Sequence, residues 1–361
     1  MRTVQEHLAW WPRVDDVTVI ERDEALLLQG PWARPLAPLP VGKPDAPGGP
    51  AGGAGANSGP ASRAGDGPPS GGQGRPRPDR EGIEVVHVPV AWEPRGFSPP
   101  LWVYENEDVR IEHQDMNSRQ PFYHRNADVD EISYQVSGPR QLITEIGTVD
   151  LEPGDFVNIP VGVAHDNWGR QEIHLLFYVR APVARQLEPV RLSRPHEFRD
   201  WEPAIVPEMI SAGAGLTVPC DERLLLAHAA HDPRRLEVLH PRSGAEEPPG
   251  IQWAYKAQTF WLGWCSVVQA TGSDYRRHLN FDEVQFQLAG TRTLLTELGC
   301  VELEPGDFVK VPRGVAHSSV ADRATYLVMY AAKPLKRLVE PVRTGELRTP
   351  EQIEKLRALA V

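Results

Sequence analysis

Residues 130–165 read DEISYQVSGPRQLITEIGTVDLEPGDFVNIPVGVAH, and residues 282–317 read DEVQFQLAGTRTLLTELGCVELEPGDFVKVPRGVAH. The closing histidines, His165 and His317, stand 152 positions apart. The register runs on without a gap to Glu188-Pro189-Val190-Arg191 and Glu340-Pro341-Val342-Arg343. About half of the positions match over that span, which chance does not supply, so the chain is a tandem duplication. Its 361 residues suit two domains. Whatever one copy folds into, the other must fold into as well.

Both copies carry strand signals. Ile132, Tyr134 and Val136 alternate with Ser133 and Gln135, the period of a half-buried strand. Pro153-Gly154-Asp155 and Pro305-Gly306-Asp307 are turns between apolar runs, and Pro160-x-Gly162 and Pro312-x-Gly314 break the strands that follow. Many short strands with Gly/Pro turns predict an all-β fold of two jelly-roll barrels packed through their sheets. The first domain is expected over 1–195, the second over 196–345 and a short C-terminal helix over 346–361. Within the first, residues 35–82 are dense in Pro, Gly, Ala and Ser and predict a disordered insertion, a tether without further function. Strand-like text flanks it, Val17 to Leu28 and Ile83 to Val90, and Arg223 to Leu239 is the expected counterpart in the second copy. In the tail, Thr349 and Gln352 fit a capping box with Pro350 at the first helical position. Ile353, Leu356 and Leu359 form a stripe that packs on a barrel or on a second subunit, the latter making a homodimer.

Composition removes several classes of function. A net charge of −11 and a pI near 5.6 leave no basic face for nucleic acid. No apolar run reaches membrane-spanning length, and the N-terminus lacks a signal-peptide core. Cys220, Cys265 and Cys300 form no CxxC pair and no disulfide framework, so a reduced, cytoplasmic protein is expected, with Cys300 as core filler. His113 and His174 are expected on surface faces. His228, His231 and His240 lack ligand spacing, and Trp253, Trp261 and Trp264 read as packing residues.

The chemistry lies at the entry to each repeat. The first copy reads His124-Arg125-Asn126, then Glu131; the second reads Arg276-Arg277-His278, then Glu283; each ends in a histidine after Pro-x-Gly. This arrangement resembles the cupin superfamily, whose first motif is in outline G…HxH, three or four residues, E, and whose second is G…PxG, two residues, H. The second motif is intact twice, Gly154…Pro160-Val161-Gly162-Val163-Ala164-His165 and Gly306…Pro312-Arg313-Gly314-Val315-Ala316-His317. In the first motif Asn126 replaces one histidine and Arg276 replaces another. Residues i and i+2 of a strand share a face, so both histidine positions would point into the barrel. The resemblance thus implies two candidate metal sites, His124, Glu131 and His165, and His278, Glu283 and His317, one or both of them working. Two histidines and a carboxylate suit Fe(II), although Zn, Ni and Mn remain open.

The segment from Tyr123 to Glu131, with Gly147 and Pro153-Gly154-Asp155, is similar to the N-terminal half of homogentisate 1,2-dioxygenases, iron enzymes that cleave aromatic rings. That family holds its iron in the C-terminal half, which the second copy here does not match. Asp274-Tyr275-Arg276-Arg277-His278 with Glu283 and Gln287 faintly resembles hydroxyanthranilate dioxygenases. Together these imply an Fe(II) dioxygenase taking O2 and a hydroxylated aromatic acid. Arg276 or Arg277 would grip the carboxylate, and Gln285 and Gln287 would orient the ring. The other reading is a non-oxygenase bicupin, a binding protein, isomerase or decarboxylase with degenerate sites. Arg276 turned inward would make either a substrate clamp or a dead site.

Overall fold

A computed structural model describes residues 82–94, 99–198, 205–212, 214–244 and 250–358. The segment Val17 to Leu28, nearly all of the Gly/Pro-rich insertion and Leu359 lie outside the described residues. Ten strands come first in the chain, and β2 to β10 form the first barrel: β1 (Glu84–His87), β2 (Leu101–Glu105), β3 (Val109–Met116), β4 (Tyr123–Asn126), β5 (Asp130–Ser137), β6 (Arg140–Thr144), β7 (Gly147–Leu151), β8 (Phe156–Ile159), β9 (His165–Gly169) and β10 (Glu172–Val179). They pair in the orders β8-β5-β10-β3 and β4-β9-β6-β7, with every pair antiparallel. Two four-stranded layers in that order are the two interlocked Greek keys of a jelly roll.

The connection carries β11 (Ala184–Arg185), β12 (Arg191–Leu192), the hairpin β13 (Ile205–Ala212) and β14 (Ala214–Asp221), helix α1 (Glu222–His231) and β15 (Glu237–Leu239). The second barrel follows with β16 (Ile251–Lys256), β17 (Phe260–Thr271), β18 (Asp282–Ala289), β19 (Arg292–Thr296), β20 (Gly299–Leu303), β21 (Asp307–Val311) and β22 (His317–Ala331). Its order β17-β22-β18-β21, with β19 on β22 and β20 on β19, repeats the first. Short β23 (Lys336–Arg337), β24 (Arg343–Thr344) and helix α2 (Pro350–Ala358) close the chain. The fold is all-β, two jelly-roll barrels in tandem.

The barrels exchange strands. β1 precedes the first barrel in sequence but pairs with β21 of the second, Val85 opposite Val309 and Val86 opposite Phe308. β15 precedes the second barrel but pairs with β8 of the first, Val238 opposite Val157 and Leu239 opposite Phe156. Each exchanged strand ends in the same fastening: His87 Nδ1 lies 2.9 Å from Asp307 Oδ1, and His240 Nδ1 lies 2.9 Å from Asp155 Oδ1.

Strand β5 is not half-buried: Asp130 to Gln135 are buried on both faces. Ile132 and Tyr134 join Phe156, Leu175 and Phe177 in a core shared with Val284, Phe286, Phe308, Leu327 and Met329 of the second barrel. Aromatic pairs cross that interface, Phe177 with Phe260 at 6.0 Å and Tyr104 with Phe308 at 6.2 Å between ring centroids. The alternate residues Glu131, Ser133 and Gln135 face the barrel interior instead. The alternation therefore separates an apolar interface from a polar cavity wall, not core from solvent.

Other expectations need correction. His113 and His174 are buried, not on the surface. His174 hydrogen-bonds Glu172 at 3.0 Å inside the first barrel, and His113 Nε2 donates to the Pro89 carbonyl at 2.9 Å. Residues 223–231 are helix rather than strand, because Asp221 caps the N–H groups of Arg223 and Leu224 ahead of a Leu/Ala run. Helix α2 has the capping box: the Thr349 N–H donates to Gln352 Oε1 at 2.8 Å, and the Gln352 N–H to Thr349 Oγ1 at 3.2 Å. Its Ile353 packs with Tyr275, Leu295 and Cys300 on the second barrel, and Cys300 is core as expected. All three cysteines are free, and no helix among the described residues is long and apolar enough to cross a membrane.

Candidate metal centres

In the first barrel, β4 delivers His124, β5 delivers Glu131 and β9 delivers His165. His124 pairs directly with His165 across β4 and β9. The nearest donor atoms of the three residues lie within 4.8 Å of one another. His165 Nδ1 lies 3.2 Å from the Val163 carbonyl, which can only accept, so Nδ1 carries the proton. Its Nε2 then faces Glu131 Oε2 at 3.3 Å. A backbone carbonyl fixing the far nitrogen in this way is how a metal-binding histidine is oriented. Asn126 Nδ2 donates to Glu131 Oε2 at 2.7 Å, and Ser211, on β13, meets both His124 Nε2 at 2.8 Å and Asn126 Oδ1 at 3.1 Å. The donor set fits a divalent ion.

In the second barrel His278, Glu283 and His317 also converge within 4.8 Å, with His278 Nε2 2.9 Å and His317 Nε2 3.2 Å from Glu283 Oε2. Here Arg276 turns inward from the position that His124 holds in the first copy. Its Nε donates to His317 Nε2 at 2.9 Å and its terminal nitrogen to Glu283 Oε1 at 2.7 Å. The guanidinium takes His317 Nε2 and one oxygen of Glu283, while Glu283 Oε2 faces the two histidines. Arg277 does not enter the site. The strand's alternation points it the other way, to Glu297 Oε1 at 2.6 Å, as Arg125 points to Glu145 in the first copy. Gln285 and Gln287 face inward but are taken up by the buried Arg292, which donates to Gln285 Oε1 at 2.7 Å and Gln287 Oε1 at 3.2 Å. Gln285 also donates to Glu283 Oε1 at 2.6 Å.

The electrostatics of the two clusters differ at the closing histidine, while both glutamates are held below their ordinary value. In the first, burial works against the His165 imidazolium, yet Glu131 raises its pKa above the ordinary value. Burial likewise opposes the Glu131 carboxylate, but His165 holds it down to about 2. His124 is drawn the other way, down to about 4, by burial and the His165 charge. In the second, burial together with the Arg276 charge lowers His317 although Glu283 pulls it upward. The cation is already in place. A dication about 4 Å from a guanidinium would meet repulsion on the order of 8 kcal/mol at an effective dielectric of about 20.

The barrels also differ in space. A cavity of about 490 Å3 opens beside His124, bordered by Trp102, Arg110, Glu112, Phe122, Tyr178 and Met209. Arg110, Tyr178 and Glu131 occupy one cross-strand row, since Tyr178 pairs with both. In the second barrel Trp261 pairs with Tyr330 as Arg110 pairs with Tyr178, and Gly263 stands in Glu112's place. Trp261 is buried against Trp253, Phe281 and Tyr330 and fills that space. Arg110 and Glu112 went unnoticed in sequence because β3 lies outside the gapless repeat. Its equivalents are 151 positions away, not 152.

No family model matches the sequence, and no curated protein matches it. Comparison of structures finds a cupin 2 conserved barrel domain protein from Leptotrichia buccalis, 8% identical, with a TM-score of 0.44, covering 70% of this chain and 98% of that one. A variant of salicylate 1,2-dioxygenase from Pseudoaminobacter salicylatoxidans is 12% identical with a TM-score of 0.40, over 64% and 74% of the two chains. A variant of Bacillus subtilis oxalate decarboxylase is 10% identical with a TM-score of 0.36, over 72% and 76%. Its structural neighbours are cupin-domain proteins. The activities in those names belong to the neighbours, and for this chain the site geometry carries the argument.

Proposed function

We propose that the protein is a metal-dependent dioxygenase for a hydroxylated aromatic acid, with Fe(II) held in the first barrel by His124, Glu131 and His165. The observation that carries this reading is the asymmetry of the two clusters. The first has three convergent donors beside a cavity; the second has a guanidinium on its donors and a tryptophan where the cavity would be. The second barrel is then a packing partner that contributes Phe308 and strand β15 to the first. The metal supplies Lewis acidity and a path for electrons to O2. The protein's own groups supply position. Glu131 is oriented by Asn126, His165 by the Val163 carbonyl, and His124 meets the Ser211 hydroxyl. Met209, also on β13, walls the cavity, so a hairpin from the inter-barrel connection helps to shape the first barrel's site. The homogentisate-type reading fits the first copy's residues but places the metal in the half opposite to that family's.

Metal analysis of wild type after anaerobic Fe(II) loading, beside H165A and H317A, tests this. Loss of iron in H165A alone, with O2 uptake on hydroxylated aromatic acids lost in the same variant, is expected. No stoichiometric metal in wild type would overturn it.

A further inference from the structure

We propose that Arg110 is the carboxylate anchor of the first-barrel cavity, which therefore selects aromatic acids over neutral or cationic aromatics. This deepens the reading above and rests on the cavity being the substrate site. Three observations support it.

First, the guanidinium is held by rings rather than by chain flexibility: its central carbon lies 4.4 Å from the Trp102 ring centroid and 4.8 Å from that of Tyr178. Cation–π contacts on a planar cation restrict it without using its N–H groups. Second, Glu112 takes the Nε of Arg110, and among the described residues no hydrogen bond engages its terminal nitrogens. Those two donors border the cavity as a fork suited to a carboxylate. Arg119, also at the cavity, is committed to Asp166 at 2.6 Å and to Glu222. Third, Arg110 and His124 border the same cavity, with Tyr178 between Arg110 and Glu131 in the row. Arg110 and Glu131 lie in one row separated by β10, so their backbones are about 10 Å apart across two strand spacings. A benzoate with its carboxylate on Arg110 directs a ring hydroxyl towards the His124–Glu131–His165 cluster. The second barrel has Trp261 and Gly263 at the positions of Arg110 and Glu112, so it carries no arginine in that row and its space is filled by the indole.

The test is equilibrium binding to the full-length, metal-loaded protein, followed by tryptophan fluorescence and calorimetry. The probes are 2-hydroxybenzoate, its neutral isostere 2-hydroxybenzamide, and benzylamine. A charged hydrogen-bonded pair predicts that the acid binds about 10- to 100-fold more tightly than the amide. R110M should reduce the acid to the amide's affinity, and R110K should fall between, with metal content unchanged in both. Equal binding of acid and amide by wild type, preference for benzylamine, or acid binding indifferent to R110K and R110M would overturn the assignment. The wild-type comparison stands even if R110M fails to fold. Retained, Arg110-dependent acid binding without O2 uptake would sink the oxygenase reading while leaving the anchor intact. Oxygenation of aromatics with no preference for acids would do the reverse.

Discussion

Arg276 Nε lies 2.9 Å from His317 Nε2, in the second barrel's counterpart of the place where His124 pairs with His165 in the first. One duplicated pocket thus holds a built-in cation, and the other has a histidine in its place. The buried charges agree: Arg276 and Arg292 stand against Glu283 in the second barrel, whereas Arg140 stands against Glu131 and Glu172 in the first.

Removing the guanidinium should open the second site. R276H restores the histidine that the first copy carries and removes repulsion on the order of 8 kcal/mol against a dication. Metal content is expected to rise from about one to about two ions per chain, and the added ion should vanish in R276H/H317A. Elemental analysis checks this, and an unchanged stoichiometry in R276H would contradict the account of Arg276 as a stand-in cation.

Asn126 contacts Glu131 rather than open space, donating to Oε2 at 2.7 Å while its carbonyl oxygen accepts from Ser211. Loss of such an outer partner typically weakens metal binding about 10- to 100-fold. N126A should show that drop in Fe(II) affinity by competitive chelation, with the circular dichroism of wild type. An affinity equal to wild type would remove Asn126 from the site.

Glu112 should make stability pH-dependent. Burial raises its pKa from 4.5 to about 7, against the opposing pull of Arg110 and with a further push from Glu131. Between those values the folded chain binds the proton more tightly than the unfolded chain, so this residue's contribution falls as pH rises from 4.5 through 7. The loss is at most about 3 kcal/mol. E112Q cannot ionise, so its stability relative to wild type should improve between pH 5 and pH 8 in denaturant titrations. A constant difference across that range would show that Glu112 is ionised throughout.

Phe308 joins the barrels. It is fully buried, 4.4 Å from Phe286 and 6.2 Å from Tyr104 between centroids, and it pairs with the exchanged strand β1. F308A should cost about 3–5 kcal/mol. Because β1 and β15 each complete the other barrel, calorimetry should show both barrels melting in one transition. Two separated transitions would argue that the strand exchange does not couple them.

Much of this protein is local in its sequence. The duplication, the strand alternation, the capping box at Thr349 and the shared face of Arg276 with His278 sit in contiguous text, where spacing dictates which side chains share a face. Even the outward direction of Arg277 was legible, since alternation places Arg276 with His278 and Arg277 opposite; the two arginines simply were not separated on that ground. The helix at 222–231 was legible too, in Asp221 and the Leu/Ala run behind it.

What the tertiary structure alone decided is which copy has room to work. That depends on side chains brought by strands far apart in sequence: Arg110 beside Tyr178 in one barrel, Trp261 beside Tyr330 in the other. It depends also on Ser211 and Met209 arriving on a hairpin from the inter-barrel connection. The direction of a side chain follows from its neighbours in the chain, but the emptiness of a cavity is set by the volumes and charges that non-contiguous strands bring together.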